Sequence, residues 1–122
     1  MSLMVLYVDD EFMCCRYFAR LCQGKVEIET FDGADLALEY LEKNGGDVQM
    51  IITDQRMPEM CGTDLLKQIQ EKYPHIKRVL TTGYSKTNDI QELTDDGLID
   101  RCLDKPWNIK EVLELLEEGS AA

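Results

Sequence analysis

In the stretch Ile51-Ile52-Thr53-Asp54-Gln55-Arg56-Met57-Pro58 a single carboxylate stands where an apolar run stops. Met50, Ile51 and Ile52 read as a strand buried on both faces. Pro58 biases Met57 to an extended or turn conformation, so that strand ends at or just after Asp54. A lone acid before a turn is ordinarily a surface cap, but other strand ends change the reading. Asp9 and Asp10 follow an apolar run over residues 3–8, Thr82 closes a run over 78–82, and Lys105 follows one over 98–103. If these termini share one edge of a sheet, their groups converge. Two carboxylates ~5 Å apart at an effective dielectric of ~20 repel by about 3 kcal/mol. Three acids must therefore take up protons or be met by cations. Lys105 supplies one positive charge, and a divalent metal would supply the rest. All-oxygen ligands, partly carboxylate, suit Mg²⁺. An acidic nucleophile, a metal, a lysine and a hydroxyl are the parts that phosphoryl transfer needs.

The segments between these termini are patterned to place them. Cys14, Phe18, Leu21 and Cys22 recur at helical spacing, and Gly24 closes that helix. Val26, Ile28 and Thr30 alternate with Glu27 and Glu29, as in a half-exposed edge strand. Asp32 is placed to cap a helix whose inward stripe is Ala34, Ala37, Leu38 and Leu41, and Asn44-Gly45-Gly46 stops it. Residues 63–72 read as a third helix with Leu65, Leu66 and Ile69 inward, ended by Pro74. A weak fourth helix has only Ile90 and Leu93 as anchors before Asp95-Asp96-Gly97. Asn108 with Glu111 forms a capping-box-like pair before a last helix facing inward through Ile109, Val112, Leu113 and Leu116. Strand and helix alternate five times with short connections. That pattern predicts an α/β fold: a doubly wound, five-stranded parallel sheet in the order 2-1-3-4-5, with helices on both faces.

Composition narrows the function classes. A chain of 122 residues, 44% of them hydrophobic, fits one globular domain with one core. The formal net charge of -11 argues against direct nucleic-acid binding, because phosphates would be repelled. No apolar run approaches the length of a membrane span and no leader peptide is visible, so a cytoplasmic location is expected. The five cysteines, Cys14, Cys15, Cys22, Cys61 and Cys102, form no C-x-x-C pair and read as reduced, small hydrophobes. His75 follows Pro74 and reads as structural. Residues 1–3 and 119–122 are read as flanking stretches, which leaves a unit over 4–118 expected to be one domain of a longer protein.

The motifs Val8-Asp9-Asp10-Glu11, Asp54 with Met57-Pro58 and Gly62, Thr82-Gly83, and Lys105-Pro106 resemble the receiver domain of bacterial two-component response regulators, the CheY-like family. The resemblance runs through essentially the whole chain, in order. It implies that Asp54 is the phosphoacceptor and forms an acyl phosphate. It implies that Asp10 binds Mg²⁺ directly, with Asp9 helping directly or through water, and that Asp54 and the backbone carbonyl of Arg56 complete the protein ligands. Lys105 would pair with a phosphoryl oxygen, and Thr82 would hydrogen-bond to the phosphoryl group and carry the switch. The implied donor is a phosphohistidine on a sensor histidine kinase or a histidine phosphotransfer protein. The implied target is an effector domain or protein, in the same chain or another. The surface of the fourth helix, fifth strand and fifth helix would serve dimers or targets. Such a domain assists its own phosphorylation and dephosphorylation, and is a switch more than a turnover enzyme.

The sequence departs from the family pattern at Cys102, three residues before the lysine, where an aromatic side chain is usual. Plain core packing is the expectation there. Cys61 stands where an Asp is frequent. Arg56 and Tyr84 stand two residues beyond the acid and the threonine, flanking the path of the hydrolytic water, so the bulk of Tyr84 is expected to slow hydrolysis. Trp107 is expected to pack at the start of the last helix. Three rival readings differ in what they require. A haloacid-dehalogenase-type phosphatase needs a second acid two residues on, where Arg56 stands, and room for a cap domain. A flavodoxin-like cofactor binder needs a small-residue phosphate loop, where Asp9-Asp10-Glu11 stands. An unphosphorylated docking module would have no use for a complete set of five site residues.

Overall fold

A computed structural model describes residues 3–83 and 88–120. Five strands, β1 (Met4–Val8), β2 (Glu27–Phe31), β3 (Met50–Asp54), β4 (Lys77–Thr82) and β5 (Arg101–Asp104), alternate with five helices. The helices are α1 (Phe12–Cys22), α2 (Ala34–Asn44), α3 (Gly62–Lys72), α4 (Asn88–Asp95) and α5 (Ile109–Ser120). The strands form one parallel sheet in the order β2-β1-β3-β4-β5. This is the doubly wound arrangement expected from the alternation.

Period-two alternation splits the core in two. Leu6 and Val8 of β1 and Ile51 of β3 pack with Ala34, Ala37 and Leu41 of α2, with Leu65, Leu66 and Ile69 of α3, and with Ile90 of α4. Val5 and Tyr7 of β1 and Met50 and Ile52 of β3 pack with Cys15, Phe18 and Cys22 of α1 and with Val112, Leu115 and Leu116 of α5. β3 is buried along its whole length, whereas β2 is half exposed at the sheet edge. Register puts Asp54 opposite Thr81 and Thr82 opposite Asp104. The ends of β3, β4 and β5 therefore open on one edge.

Local readings need four corrections. Gly33, in extended conformation, is the N-cap of α2, so Asp32 lies one residue too early to cap it. In α1 the buried stripe runs through Cys15, and Cys14 is only half-buried. In α5 the inward face runs through Val112, Leu115 and Leu116, with Leu113 only half-buried and Ile109 48% exposed. β5 begins at Arg101 rather than Leu98, because Leu98 and Ile99 both donate their N–H groups to the Leu93 carbonyl and so belong to the turn that follows α4. Gly97, at φ +87°, makes that reversal without strain. Asn108 caps α5 as expected, its Oδ1 accepting from Lys110 N at 2.9 Å. His75 is structural, with Nε2 2.9 Å from the Gly45 carbonyl, and all five cysteines are free.

Candidate functional site

The site lies at the carboxyl edge of the sheet. β1 delivers Asp9, which is fully buried, and Asp10, which is exposed, and β3 delivers Asp54, only 7% exposed. One oxygen from each of the three carboxylates lies within 4.8 Å of the others. The loop after β5 brings in Lys105, whose Nζ donates to Asp9 Oδ2 at 2.8 Å and sits 3.2 Å from Asp54 Oδ1. Thr82 is buried at the end of β4, and its carbonyl accepts the Lys105 N–H at 3.1 Å, which ties the threonine's strand to the lysine's loop. Arg56 is exposed and lines a groove with Asp10, Gln55, Met57, Pro58 and Cys61 that leads to the acids. All six residues singled out in the sequence thus gather at one sheet edge.

Electrostatics follow from this crowding. Burial pushes the Asp54 carboxyl above the ordinary range and the charge of Asp9 adds to it, while Lys105 pulls the other way. For Lys105 burial alone favours the neutral amine, but the hydrogen bond and charge of Asp9 and the charge of Asp54 outweigh it and hold the ammonium above the usual lysine value. One lysine cannot neutralise three acids, so the edge retains an excess of negative charge. Close-set oxygen donors with net negative charge suit a hard divalent cation such as Mg²⁺, which Asp9, Asp10 and Asp54 would hold.

The approach of α3 to β3 is set by a glycine. A methyl group on Gly62 would stand 2.4 Å from the Asp54 carbonyl oxygen and 2.9 Å from Leu80 Cδ1. Gln55, next to Asp54, caps α3. Its Oε1 accepts Thr63 N at 2.9 Å and its Nε2 donates to Thr63 Oγ1 at 3.3 Å. Nothing in the local pattern marked Gln55, because a glutamine in a loop has no preferred cap position.

Two further residues at the site escaped the sequence reading. Cys14, read as part of a core stripe, lies 3.8 Å from Lys105 Nζ and 3.6 Å from Glu11 Oε2. Burial and the charge of Asp9 push its thiol up to about 11. Tyr7, read as one residue of an apolar run, donates its hydroxyl to Asp9 Oδ2 at 2.7 Å. The signal was available: residues two apart on a strand share a face, so Tyr7 and Asp9 point the same way. Of the departures from the family pattern, Cys102 packs half-buried against the core on the α2–α3 face, as expected for plain packing. Cys61 Sγ lies 3.3 Å from Thr63 Oγ1. Trp107 packs between Phe18, Tyr7 and Tyr17, with ring centroids 5.0, 5.6 and 5.7 Å away. Tyr84 lies outside the described residues.

Comparison with known proteins places this geometry in a family. The family model described as "Response regulator receiver domain" matches residues 5–117. The chain is 30% identical over 118 residues to the hydrogenase transcriptional regulatory protein HoxA of Cupriavidus necator, covering 97% of this chain and 24% of that protein. It is 32% identical over 119 residues to the sensor kinase CckA of Brucella abortus, covering 96% of this chain and 12% of that one. The chain thus spans about a quarter or less of the length of these two curated relatives. Among solved structures, the signal receiver domain of an HD domain-containing protein from Pseudomonas fluorescens Pf-5 superposes with a TM-score of 0.89 at 27% identity, covering 99% of this chain and 96% of that one. With its sheet order, its clustered acids and a family match along nearly its whole length, the chain belongs to the response regulator receiver domains of two-component signalling.

Proposed function

We propose that the chain is a phosphorylation-dependent switch in a two-component phosphorelay, with Asp54 as the phosphoacceptor and residues 4–118 as the functional unit. The observation that carries this reading is Lys105 Nζ, held 2.8 Å from Asp9 and 3.2 Å from Asp54 within a cluster of three acids. The donor is a phosphohistidine on a sensor histidine kinase or a histidine phosphotransfer protein. An Asp54 carboxylate oxygen attacks phosphorus, the nitrogen–phosphorus bond breaks, and the bonding electron pair returns to the imidazole. The product is an acyl phosphate on Asp54. Lys105 turns from Asp54 to a phosphoryl oxygen, keeping a charge-assisted contact through the transfer. Buried Thr82 donates its hydroxyl to another phosphoryl oxygen and reports phosphorylation to β4 and the elements beside it. Asp9, Asp10, Asp54 and the Arg56 carbonyl would hold Mg²⁺, which neutralises charge on the phosphoryl oxygens when bound. The output is a change in contacts with an effector domain or protein, in the same chain or another. The chain acts as a stoichiometric acceptor, with hydrolysis of the acyl phosphate as its reset.

Intact mass after incubation with a small acyl-phosphate donor tests this. The expected result is a gain of one phosphoryl group that needs Mg²⁺ and is lost in Asp54→Asn. No gain from that donor, nor from a phosphohistidine donor, in a folded chain that binds Mg²⁺ would replace the reading by one of a docking module.

A further inference from the structure

We propose that Tyr7 is a positioning residue for the metal and phosphoryl site, acting through Asp9; this rests on the reading of Asp9 as part of the Mg²⁺ site. Tyr7 lies in the middle of the sheet and is fully buried against α1 and α5. Phenylalanine would fill that space equally well without a polar atom to satisfy. A buried hydroxyl costs free energy unless it is bonded, and this one is bonded to a carboxylate of the site, Asp9 Oδ2, at 2.7 Å.

Asp9 is held from three directions. Oδ2 accepts from Tyr7 and from Lys105 Nζ, and Oδ1 accepts from Glu11 N at 3.0 Å. Three of its roughly four acceptor positions are thereby filled, and both side-chain torsions are fixed. Lys105 must leave this arrangement to follow a phosphoryl oxygen, and Glu11 N moves only with the backbone. Tyr7 is the side chain that keeps Asp9 aimed at the acid cluster while Lys105 turns.

The phenol is itself well anchored. Its ring meets Phe18 edge-on at 4.5 Å and Trp107 edge-on at 5.6 Å. Trp107 follows Lys105 by two residues and donates Nε1–H to Thr81 Oγ1 at 2.8 Å, and that hydroxyl donates to the Leu103 carbonyl at 2.9 Å. One aromatic layer therefore supports both Asp9 and the lysine loop. Groups that hydrogen-bond to metal-ligating carboxylates orient them, and their loss typically weakens metal binding by about 10- to 100-fold.

Tyr7→Phe tests the proposal, with Mg²⁺ affinity measured by calorimetry on the whole chain. We expect the Mg²⁺ Kd to rise about tenfold and the melting temperature in chelator to stay within a few degrees of wild type. In an Asp9→Asn background, Tyr7→Phe should change the Kd no further. Wild type offers a second readout that needs no variant at position 7. The near-ultraviolet circular dichroism of the Tyr7–Trp107 pair should change on Mg²⁺ addition, and Asp9→Asn should abolish that change. An unchanged or lower Kd in Tyr7→Phe, with wild type binding normally, overturns this proposal alone. A wild-type chain that binds no Mg²⁺ overturns the metal-site reading together with it.

Discussion

Burial raises Asp54 above the ordinary carboxylate range, the charge of Asp9 raises it further, and Lys105 opposes both. At this residue the needs of stability and of chemistry diverge. The nucleophile proposed here must be ionised and largely stripped of water, and a folded chain without bound cations bears the cost of holding it so. Because the folded-state pKa is raised, the folded chain binds the Asp54 proton more tightly than the unfolded chain does. The ionised carboxylate therefore destabilises the metal-free fold above its folded pKa. That cost shrinks as pH falls through the raised value, and it vanishes below the ordinary carboxyl value of the unfolded chain. Asp54→Asn removes the charge at little change in shape. In chelator at neutral pH the variant should be more stable than wild type by about 1 kcal/mol, the usual scale of a single substitution. The gap should close on acidification across that window. Urea unfolding of both proteins at several pH values measures it, and a gap that widens towards acid would contradict the raised carboxyl.

At the scale of elements, Gly62 governs how α3 seats against the strand that carries Asp54. A Cβ there would meet a backbone carbonyl, Asp54 O, at 2.4 Å, and a carbonyl cannot swing aside as a side chain can. Gly62→Ala should therefore destabilise the fold by about 1–3 kcal/mol, as overpacking does, and should also slow phosphoryl uptake by shifting the Asp54 backbone. Thermal unfolding and timed mass spectrometry measure the two effects. Normal uptake in a destabilised variant would confine the glycine to packing. This element also shows what a sequence can reveal. Gly62 counted in the sequence only as part of the motif that carries the family resemblance, and its reason, a close approach across the loop over residues 55–61, exists only once the helix is docked. Alternation and apolar runs were enough to read the five strands, their order and the convergence of Asp9, Asp10, Asp54, Thr82 and Lys105, because buried strands and their ends are written in local pattern. Arg78 was not legible as more than the start of a strand. Folded, its buried guanidinium donates to the carbonyls of Leu98 at 2.9 Å, Ile76 at 3.1 Å and Gly97 at 3.2 Å, which fastens the turn before β5 to the start of β4. Two of those partners, the Leu98 and Gly97 carbonyls, are backbone groups about twenty residues on, so no residue pattern announces them. Gln55 was missed because its two bonds to Thr63 exist only once α3 is seated against its loop, whereas Tyr7 was missed although its partner Asp9 lies two residues on.

For the whole molecule, a formal net charge of -11 spreads repulsion over a small domain, and the carboxyl edge of the sheet concentrates it. Two effects of salt can then be separated. Monovalent salt screens exposed charges at Debye distances of about 10 Å at 0.1 M, and should raise the melting temperature modestly in wild type and in site variants alike. Mg²⁺ would do this too, but binding only the folded chain adds a further RT ln(1 + [Mg²⁺]/Kd), about 2.7 kcal/mol at a hundredfold excess over Kd. For a domain of this size that corresponds to roughly 10 °C. Asp10→Asn isolates the specific part. Asp10 is exposed, so its loss should cost the metal-free fold little while removing a proposed ligand. Differential scanning calorimetry in matched ionic strengths of NaCl and MgCl₂ should show the extra rise in wild type and only the screening rise in Asp10→Asn. An equal rise in both salts for wild type would mean that the acidic edge is merely a screened surface. A rise specific to Mg²⁺ that survives Asp10→Asn would move the metal to other carboxylates. The expected pattern would tie the negative charge concentrated at the carboxyl edge of the sheet to a bound cation, which relieves the mutual repulsion of Asp9, Asp10 and Asp54.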